Sequence, residues 1–152
     1  MEFIANNKLF PKKMVIWFLL AIFFIILDRF FKIISLKHFN YILINDWLKF
    51  SLAKNYFIAF SLPVSGIFLN YLIFLIILAL IGYILIKKGL QNSAKMAFLF
   101  IILGASSNLF DRLKYGFVID YINLRWFTVF NIADIIIVCS IFFLLFLEFK
   151  QK

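Results

Sequence analysis

The sequence predicts an all-α membrane protein with four transmembrane helices and a small β-hairpin or sheet between the first two helices. Of the 152 residues, 66% are hydrophobic and only 15% are charged, and the mean hydropathy is +1.06. A soluble domain of this length does not bury so much apolar side chain. The apolar residues also form long continuous runs, whereas strands of a membrane β-barrel alternate apolar and polar residues. We interpret residues 1–152 as one integral membrane domain.

Four apolar runs predict the four helices. They span residues 14–27, 64–86, 96–110 and 132–147. A helix needs roughly 20 residues to cross the hydrocarbon, and three of the runs reach that length only if neighbouring charged residues are included. Asp28 follows the first run, Asp111 follows the third, and Asp134 lies near the start of the fourth. Because successive crossings alternate direction, we expect these aspartates at one membrane boundary, with Asp120 in the loop on that side.

The segment between the first two runs predicts the hairpin. Residues 41–62 contain Asn45-Asp46 between two partly alternating stretches, a pair typical of a tight turn between strands. The segment is rich in aromatic residues, which are typical of the membrane–water interface. We therefore expect a small extracytoplasmic sheet that lies at the membrane surface.

The basic residues indicate contact with membrane lipids rather than with nucleic acid. The formal charge is +9, but the basic residues lie between the apolar runs and form no stripe with interleaved aromatic residues. Each side of the predicted topology carries half of the 16 Lys and Arg residues, so the positive-inside rule does not decide the orientation. The pairs Lys12-Lys13 and Lys87-Lys88 favour cytoplasmic termini. The basic start of the first run also resembles a signal peptide, but no small-x-small cleavage site follows it.

The aspartates are the candidate functional residues, because a charge near hydrocarbon must be compensated. Two carboxylates in a low-dielectric site do not both ionise readily, so one pKa rises. The protonated member can donate to a substrate carbonyl while the ionised member takes a proton from water, and this aspartic-protease chemistry requires no metal or cofactor. Other sites fit less well: His38 is the single histidine, Cys139 is the single cysteine, and GASSN (104–108) lacks the spacing of a nucleophile elbow.

Most of these aspartates also have a simpler structural explanation. The alternatives are a capping box of Asn131 with Asp134, an ion pair of Asp28 with Lys32, and an ion pair of Asp111 with Arg112. Asp120 is harder to explain in this way, because no basic residue lies within three positions of it. The alternatives account for the residues one by one but not for their convergence at one membrane boundary.

Four motifs occur in order along the chain. They are LDRFFK (27–32), KNYFIAFSL (54–62), GASSNLFDRLKYGFVIDYINL (104–124) and FNIAD (130–134). Together they resemble the bacterial lipoprotein signal peptidase family, signal peptidase II, and the resemblance covers nearly the whole chain. It implies that Asp120 and Asp134 are the catalytic pair. It also implies supporting or substrate-binding roles for Asp28, Lys32, Asn55, Asn108, Asp111, Arg112 and Asn131.

The sequence departs from the pattern of this family at two places. Phe57-Ile58 stand where the family favours Gly-Ala, and Ser107 stands where it has Gly before Asn108. We expect the first departure to narrow the substrate groove beside Asn55, and the second to place a side chain where two helices approach each other. Both affect substrate range and efficiency more than the type of reaction.

The resemblance implies an aspartic endopeptidase that removes the signal peptide from diacylglyceryl-modified prolipoproteins by cutting before the lipidated cysteine. We expect a monomeric, multi-pass peptidase of the bacterial inner (cytoplasmic) membrane, with its site at the extracytoplasmic face. Its expected partners are prolipoprotein substrates and membrane lipids, with no nucleic acid, metal or cofactor. The alternative is a non-enzymatic small membrane scaffold or transporter. This is disfavoured because the aspartates gather at one boundary instead of lining a path across the membrane.

Overall fold

Four helices and four strands make up the part of the chain that the structure, a computed structural model, describes: residues 12–37, 40–44, 47–57 and 66–150. In chain order they are α1 (Lys12–Leu36), β1 (Tyr41–Ile44), β2 (Leu48–Asn55), α2 (Gly66–Ile86), α3 (Asn92–Tyr115), β3 (Val118–Leu124), β4 (Val129–Phe130) and α4 (Ile132–Phe149). All four helices are long and apolar enough to cross a membrane. The predicted fold class is therefore confirmed.

The helices turn most of their large apolar side chains outward, as contact with lipid requires. Phe68 and Leu85 of α2, for example, are 69% and 78% exposed. α3 is central and packs against α1, α2 and α4. It approaches α4 closely at Gly104, where an added Cβ would lie 2.8 Å from Ile137 Cγ1 and 2.9 Å from the carbonyl oxygen of Ala133.

α1 continues past the charged residues that follow the first apolar run. The helix runs through Asp28 and Lys32 to Leu36, so the charged residues that follow the apolar run are part of the span. Asp28 and Lys32 are four residues apart and therefore share one helix face. Their side chains are 0% and 2% exposed. Because this face is directed into the protein, the charges do not require the helix to stop.

The end of α3 directs the chain into β3. α3 continues past Asp111 to Tyr115, and Gly116 follows in the left-handed conformation with φ 80°. Its N–H donates to the carbonyl oxygen of Arg112 at 3.0 Å, a helix end that glycine adopts without strain. The chain then reverses into the strand that carries Asp120.

The sheet is antiparallel, with the order β1-β2-β3-β4. Pairing of β1 with β2 confirms the predicted strands, although the Asn45-Asp46 turn lies outside the described residues. The sheet is larger than predicted, because the segment between α3 and α4 supplies β3 and β4. Asp120 lies opposite Ala53 in the β2–β3 ladder, so its assignment to a loop is wrong.

Candidate active site

Asp120 and Asp134 both accept hydrogen bonds from Asn131, the N-cap residue directly before α4. Asn131 Nδ2 donates to Asp120 Oδ1 at 2.6 Å, and its backbone N–H donates to Asp134 Oδ2 at 3.1 Å. Asn131 Oδ1 accepts from the backbone N–H of Asp134 at 2.9 Å. The capping box that the sequence allowed is present. It fixes the Asp134 carboxylate to the residue that also binds Asp120. The capping role of Asp134 therefore does not prevent its carboxylate from lying beside Asp120 in a candidate site.

Asp120 is buried on β3 among neutral donors. Asn55 Nδ2, at the end of β2, donates to Asp120 Oδ2 at 3.0 Å, and Asn131 holds the other oxygen. Burial, and next the negative charge of Asp134, raise the pKa of Asp120 to about 7, and the two asparagine bonds only partly oppose this rise. The Asp120 carboxyl therefore exchanges its proton near neutral pH.

Asn108 connects Asp134 to a buried lysine. Asn108 Nδ2 donates to Asp134 Oδ1 at 2.7 Å, while its Oδ1 accepts from Lys32 Nζ at 2.9 Å and from Asn131 Nδ2 at 3.2 Å. An ammonium group can only donate, so Lys32 requires the oxygen of the Asn108 amide to face it. The amide nitrogen is consequently directed to Asp134.

Two acidic and two basic side chains form an ion cluster between α1 and α3. Arg29 lies 2.7 Å from Asp111 and 3.2 Å from Asp28, and Lys32 lies 3.1 Å from Asp28 and 2.8 Å from Asp111. The expected pairing of Asp28 with Lys32 is thus present, whereas Asp111 pairs with Arg29 and Lys32 rather than with Arg112. Both aspartates are fully buried, and the balance of two charges of each sign offsets their desolvation.

Arg112 is directed from α3 to the end of β2. Its Nη2 donates to the backbone oxygen of Phe57 at 2.8 Å, and the Phe57 N–H donates to Asn55 Oδ1 at 3.0 Å. The guanidinium also interacts electrostatically with Asp134 and Asp120. Arg112 and Asn55 therefore fasten the same short segment beside the two carboxylates.

The two departures from the family pattern have different environments. Phe57 is 40% exposed, and its neighbour Ile58 lies outside the described residues, so narrowing of the groove stays a prediction. Ser107 is buried and joins the polar network: its Oγ donates to Asp28 Oδ2 at 2.7 Å and lies 3.5 Å from Lys32 Nζ. The Ser107 side chain thus lies between α3 and α1.

Sequence reasoning missed two residues of the network. Arg29 contacts both aspartates of the ion cluster, and the repetition of Asp-Arg at 28–29 and 111–112 was the available signal. Tyr121 donates its hydroxyl to Asp28 Oδ1 at 3.1 Å. Its only signal was its position directly after Asp120 in a strand-like run, which places its side chain on the opposite face.

The network separates into a charge-balanced part and a part with excess negative charge. In the described part of the chain, the donors to Asp120 and Asp134 are amide groups, from Asn55, Asn108, Asn131 and the Asn131 backbone. Neutral donors do not compensate the buried Asp120 and the partly buried Asp134 as the ammonium and guanidinium groups compensate Asp28 and Asp111. This arrangement favours a pair that retains one proton.

Comparison with known proteins identifies the family. The model for "Signal peptidase (SPase) II" matches residues 20–150. The chain belongs to the signal peptidase II family. This membership indicates a protease, and the four apolar helices indicate a multi-pass membrane protein.

Similar sequences and structures extend over most of the chain. It is 32% identical over 152 aligned residues to a lipoprotein signal peptidase of Microcystis aeruginosa, covering 95% of this chain and 97% of the relative. It is 35% identical over 128 residues to the one of Clostridium tetani, covering 74% and 79%. A solved bacterial membrane enzyme has a TM-score of 0.75 at 25% identity, covering 90% and 94%. Another, at 24% identity, has a TM-score of 0.78 and covers 89% and 88%.

Proposed function

We propose that this signal peptidase II is an aspartic endopeptidase that removes the signal peptide from diacylglyceryl-modified prolipoproteins. Asp120 and Asp134 are its catalytic pair, and the cut falls before the lipidated cysteine. The observation that carries this proposal is the convergence of two carboxylates on Asn131, where burial and the negative charge of Asp134 raise the pKa of Asp120 to about 7. The substrate class follows from the relatives, which are lipoprotein signal peptidases.

The pair acts with one shared proton. The ionised carboxylate takes a proton from a water molecule, whose oxygen attacks the scissile carbonyl, while the protonated carboxyl donates to the carbonyl oxygen. The tetrahedral intermediate then collapses: the C–N bond breaks, the amine leaves with the proton that the pair took from water, and the other carboxylate takes back its proton from the former carbonyl oxygen, which restores the one-proton pair. Asn55, Asn108 and Asn131 hold both carboxylates throughout, so little reorganisation accompanies the reaction.

The remaining polar residues support the pair. Lys32 orients Asn108, Arg112 fastens the segment at Phe57, and Asp28 and Asp111 neutralise the buried cations. The aromatic hairpin forms an extracytoplasmic surface against which the substrate backbone lies. In this proposal the enzyme works as a monomer in the inner membrane, with its termini in the cytoplasm and lipids around its helices.

Cleavage of a lipidated precursor by the purified protein tests the proposal. Asp120→Asn and Asp134→Asn each remove the proton exchange of one carboxyl but keep its size. Each is expected to lower kcat by at least about 10³-fold, since general acid–base catalysis contributes that order of rate. The assay measures the mobility shift of the precursor with a chelator present throughout.

Glu148→Gln is the matched control, because this exposed carboxylate lies near the distal end of α4. The control should cleave at the wild-type rate, and all variants should insert and extract from membranes in equal amounts. Full activity in either aspartate variant would exclude the proposed pair. Inactivity of the wild-type protein on every lipidated precursor would favour the scaffold or transporter.

A further inference from the structure

The first turn of α4, which carries Asp134, is held by side chains from outside the helix. The N–H groups at a helix start have no partners within the helix. Here Ile132 N–H donates to the Tyr121 hydroxyl at 3.2 Å, and Ala133 N–H donates to Asp28 Oδ1 at 3.3 Å. Asp134 N–H donates to the cap Asn131. The position of Asp134 therefore depends on β3 and α1 as well as on its own cap.

The Tyr121 hydroxyl connects these supports. It accepts from Ile132 N–H and donates to Asp28 Oδ1 at 3.1 Å, the same oxygen that receives Ala133 N–H. The residue is 1% exposed. Burial, followed by the negative charge of Asp28, raises the pKa of Tyr121, so the hydroxyl remains protonated and keeps donating. One buried O–H thus joins β3, α1 and the start of α4.

The side chains of β3 alternate between two faces of the strand, and each face contacts a different part of the polar network. Successive side chains of a strand face opposite sides, so Asp120 reaches Asn131 and Asn55 while Tyr121 reaches Asp28. We propose that Tyr121 is a positioning residue whose hydroxyl sets the first turn of α4, and with it the place of Asp134 relative to Asp120. This inference rests on the proposed function of the two aspartates and adds a residue to which the proposed mechanism assigns no role.

Tyr121→Phe is a clean test because the ring is held independently of the hydroxyl. The Tyr121 ring packs against Phe50 with centroids 5.4 Å apart and against Phe31 at 5.7 Å. A phenylalanine keeps these contacts and removes only the O–H. Tyr83→Phe is the matched control, since Tyr83 lies on α2 against Phe98, away from the carboxylates.

The first measurement is hydrogen exchange in detergent micelles, which does not depend on activity. In Tyr121→Phe, the Ile132 N–H has lost its acceptor, so the peptide covering residues 131–135 should exchange at least about ten-fold faster than in wild type. The Tyr83→Phe protein should show wild-type exchange in this peptide. Wild-type exchange in Tyr121→Phe would overturn the inference.

The second measurement is the kinetics of precursor cleavage. A displaced Asp134 is expected to lower kcat about ten-fold, because small errors in the position of a reacting group are costly. KM should be unchanged, since Tyr121 is buried and its ring contacts are kept. An unchanged kcat in Tyr121→Phe, while wild type cleaves and Asp120→Asn does not, would overturn this inference and leave the proposed function intact. Absence of cleavage by wild type would overturn the proposed function itself.

The pH profile distinguishes positioning from a loss of stability. The charged groups that act on Asp120 are Asp134 on α4, Lys32 on α1 and Arg112 on α3, and only Asp134 lies on the turn that Tyr121 holds. If that turn moves away, the repulsion that helps to raise the pKa of Asp120 weakens. The fall of kcat at high pH, the alkaline limb of the profile, should then shift to lower pH. A merely unstable variant would lose active protein at every pH without moving the limb.

Discussion

At the scale of single residues, the two groups of aspartates differ in the chemistry of their partners. Asp28 and Asp111 lie against Arg29 and Lys32, so positive charges face both carboxylates. Asp120 receives only amide donors among the described residues, so its ionised form is less well compensated. Four carboxylates at one end of the bundle can therefore perform different tasks because their neighbours differ, not because their side chains do.

The pH dependence of cleavage follows from the raised pKa of Asp120. A pair that needs one proton loses activity as the pH rises through the pKa of about 7. Asn55 donates to the ionised form of Asp120, so Asn55→Ala should raise this pKa and shift the alkaline limb of kcat/KM upward by about one unit. Rate measurements on the lipidated precursor between acid and alkaline pH provide the check.

Asn123→Ala is the matched control for this prediction. Asn123 lies on the same strand as Asp120 but donates to Ser51 Oγ at 3.3 Å, so its removal leaves the bonds of the pair intact. The control should keep the wild-type limb. A downward shift in Asn55→Ala, or an equal shift in both variants, would contradict the assignment of the limb to Asp120.

At the scale of secondary-structure elements, the sequence predicted the helices better than the sheet. The four apolar runs identify all four helices because lipid contact leaves a local signal in each. Strands β3 and β4 were assigned to a loop. β3 pairs with β2, which lies more than sixty residues earlier in the chain and gives no local signal, and β4 is a two-residue strand that pairs only with β3 among the described residues. The apolar run did not indicate how far α1 continues, because hydropathy does not reveal that Asp28 and Lys32 face inward.

The sequence predicted which residues form the candidate site better than it predicted which residues contact each other there. The motifs around Asp120 and Asp134 predicted residues that the fold does bring together on Asn131. The partner of Asp111 was not predictable, because Arg29 reaches it from another helix, whereas Arg112 is adjacent only in sequence. Contacts between helices depend on the rotation of each helix about its axis, which hydropathy leaves undetermined.

The α3–α4 contact at Gly104 gives an element-scale prediction. Gly104→Ala places a Cβ 2.8 Å from Ile137 Cγ1 and 2.9 Å from the Ala133 backbone oxygen, so α4 must shift near its start. The unfolding temperature should fall, with a cost of about 1–3 kcal/mol, and kcat should fall as Asp134 moves. Thermal unfolding in detergent and cleavage kinetics measure the two effects.

Gly82→Ala is the corresponding control on α2. An added Cβ there meets nothing within 4 Å, and alanine suits a helix interior better than glycine. This variant should retain wild-type kcat without any loss of thermal stability. Equal behaviour of the two variants would contradict the close approach of α3 and α4.

At the scale of the whole molecule, the polar network is concentrated at one end of an otherwise apolar bundle. α1 and α3 end there, α2 and α4 begin there, and the four strands of the sheet lie between α1 and α2 and between α3 and α4. The α2–α3 connection lies at the opposite end. A site at the boundary of the membrane can receive a substrate whose signal peptide lies in lipid and whose cleavage point lies near water, and this geometry suits the proposed reaction.

The proposed orientation places this end outside the cytoplasm, and single-cysteine labelling tests it. In a Cys139→Ser background, Phe127→Cys introduces a thiol in the β3–β4 turn and Gln91→Cys introduces one before α3, at positions whose native side chains are exposed. A membrane-impermeant maleimide applied to intact spheroplasts should label Phe127→Cys and leave Gln91→Cys unlabelled. After lysis both should react, which controls for the reactivity of each thiol. Labelling of Gln91→Cys alone in intact spheroplasts would show the opposite orientation, with the carboxylate pair on the cytoplasmic side. That result would contradict the proposed reaction, in which the precursor presents its cleavage site at the extracytoplasmic face.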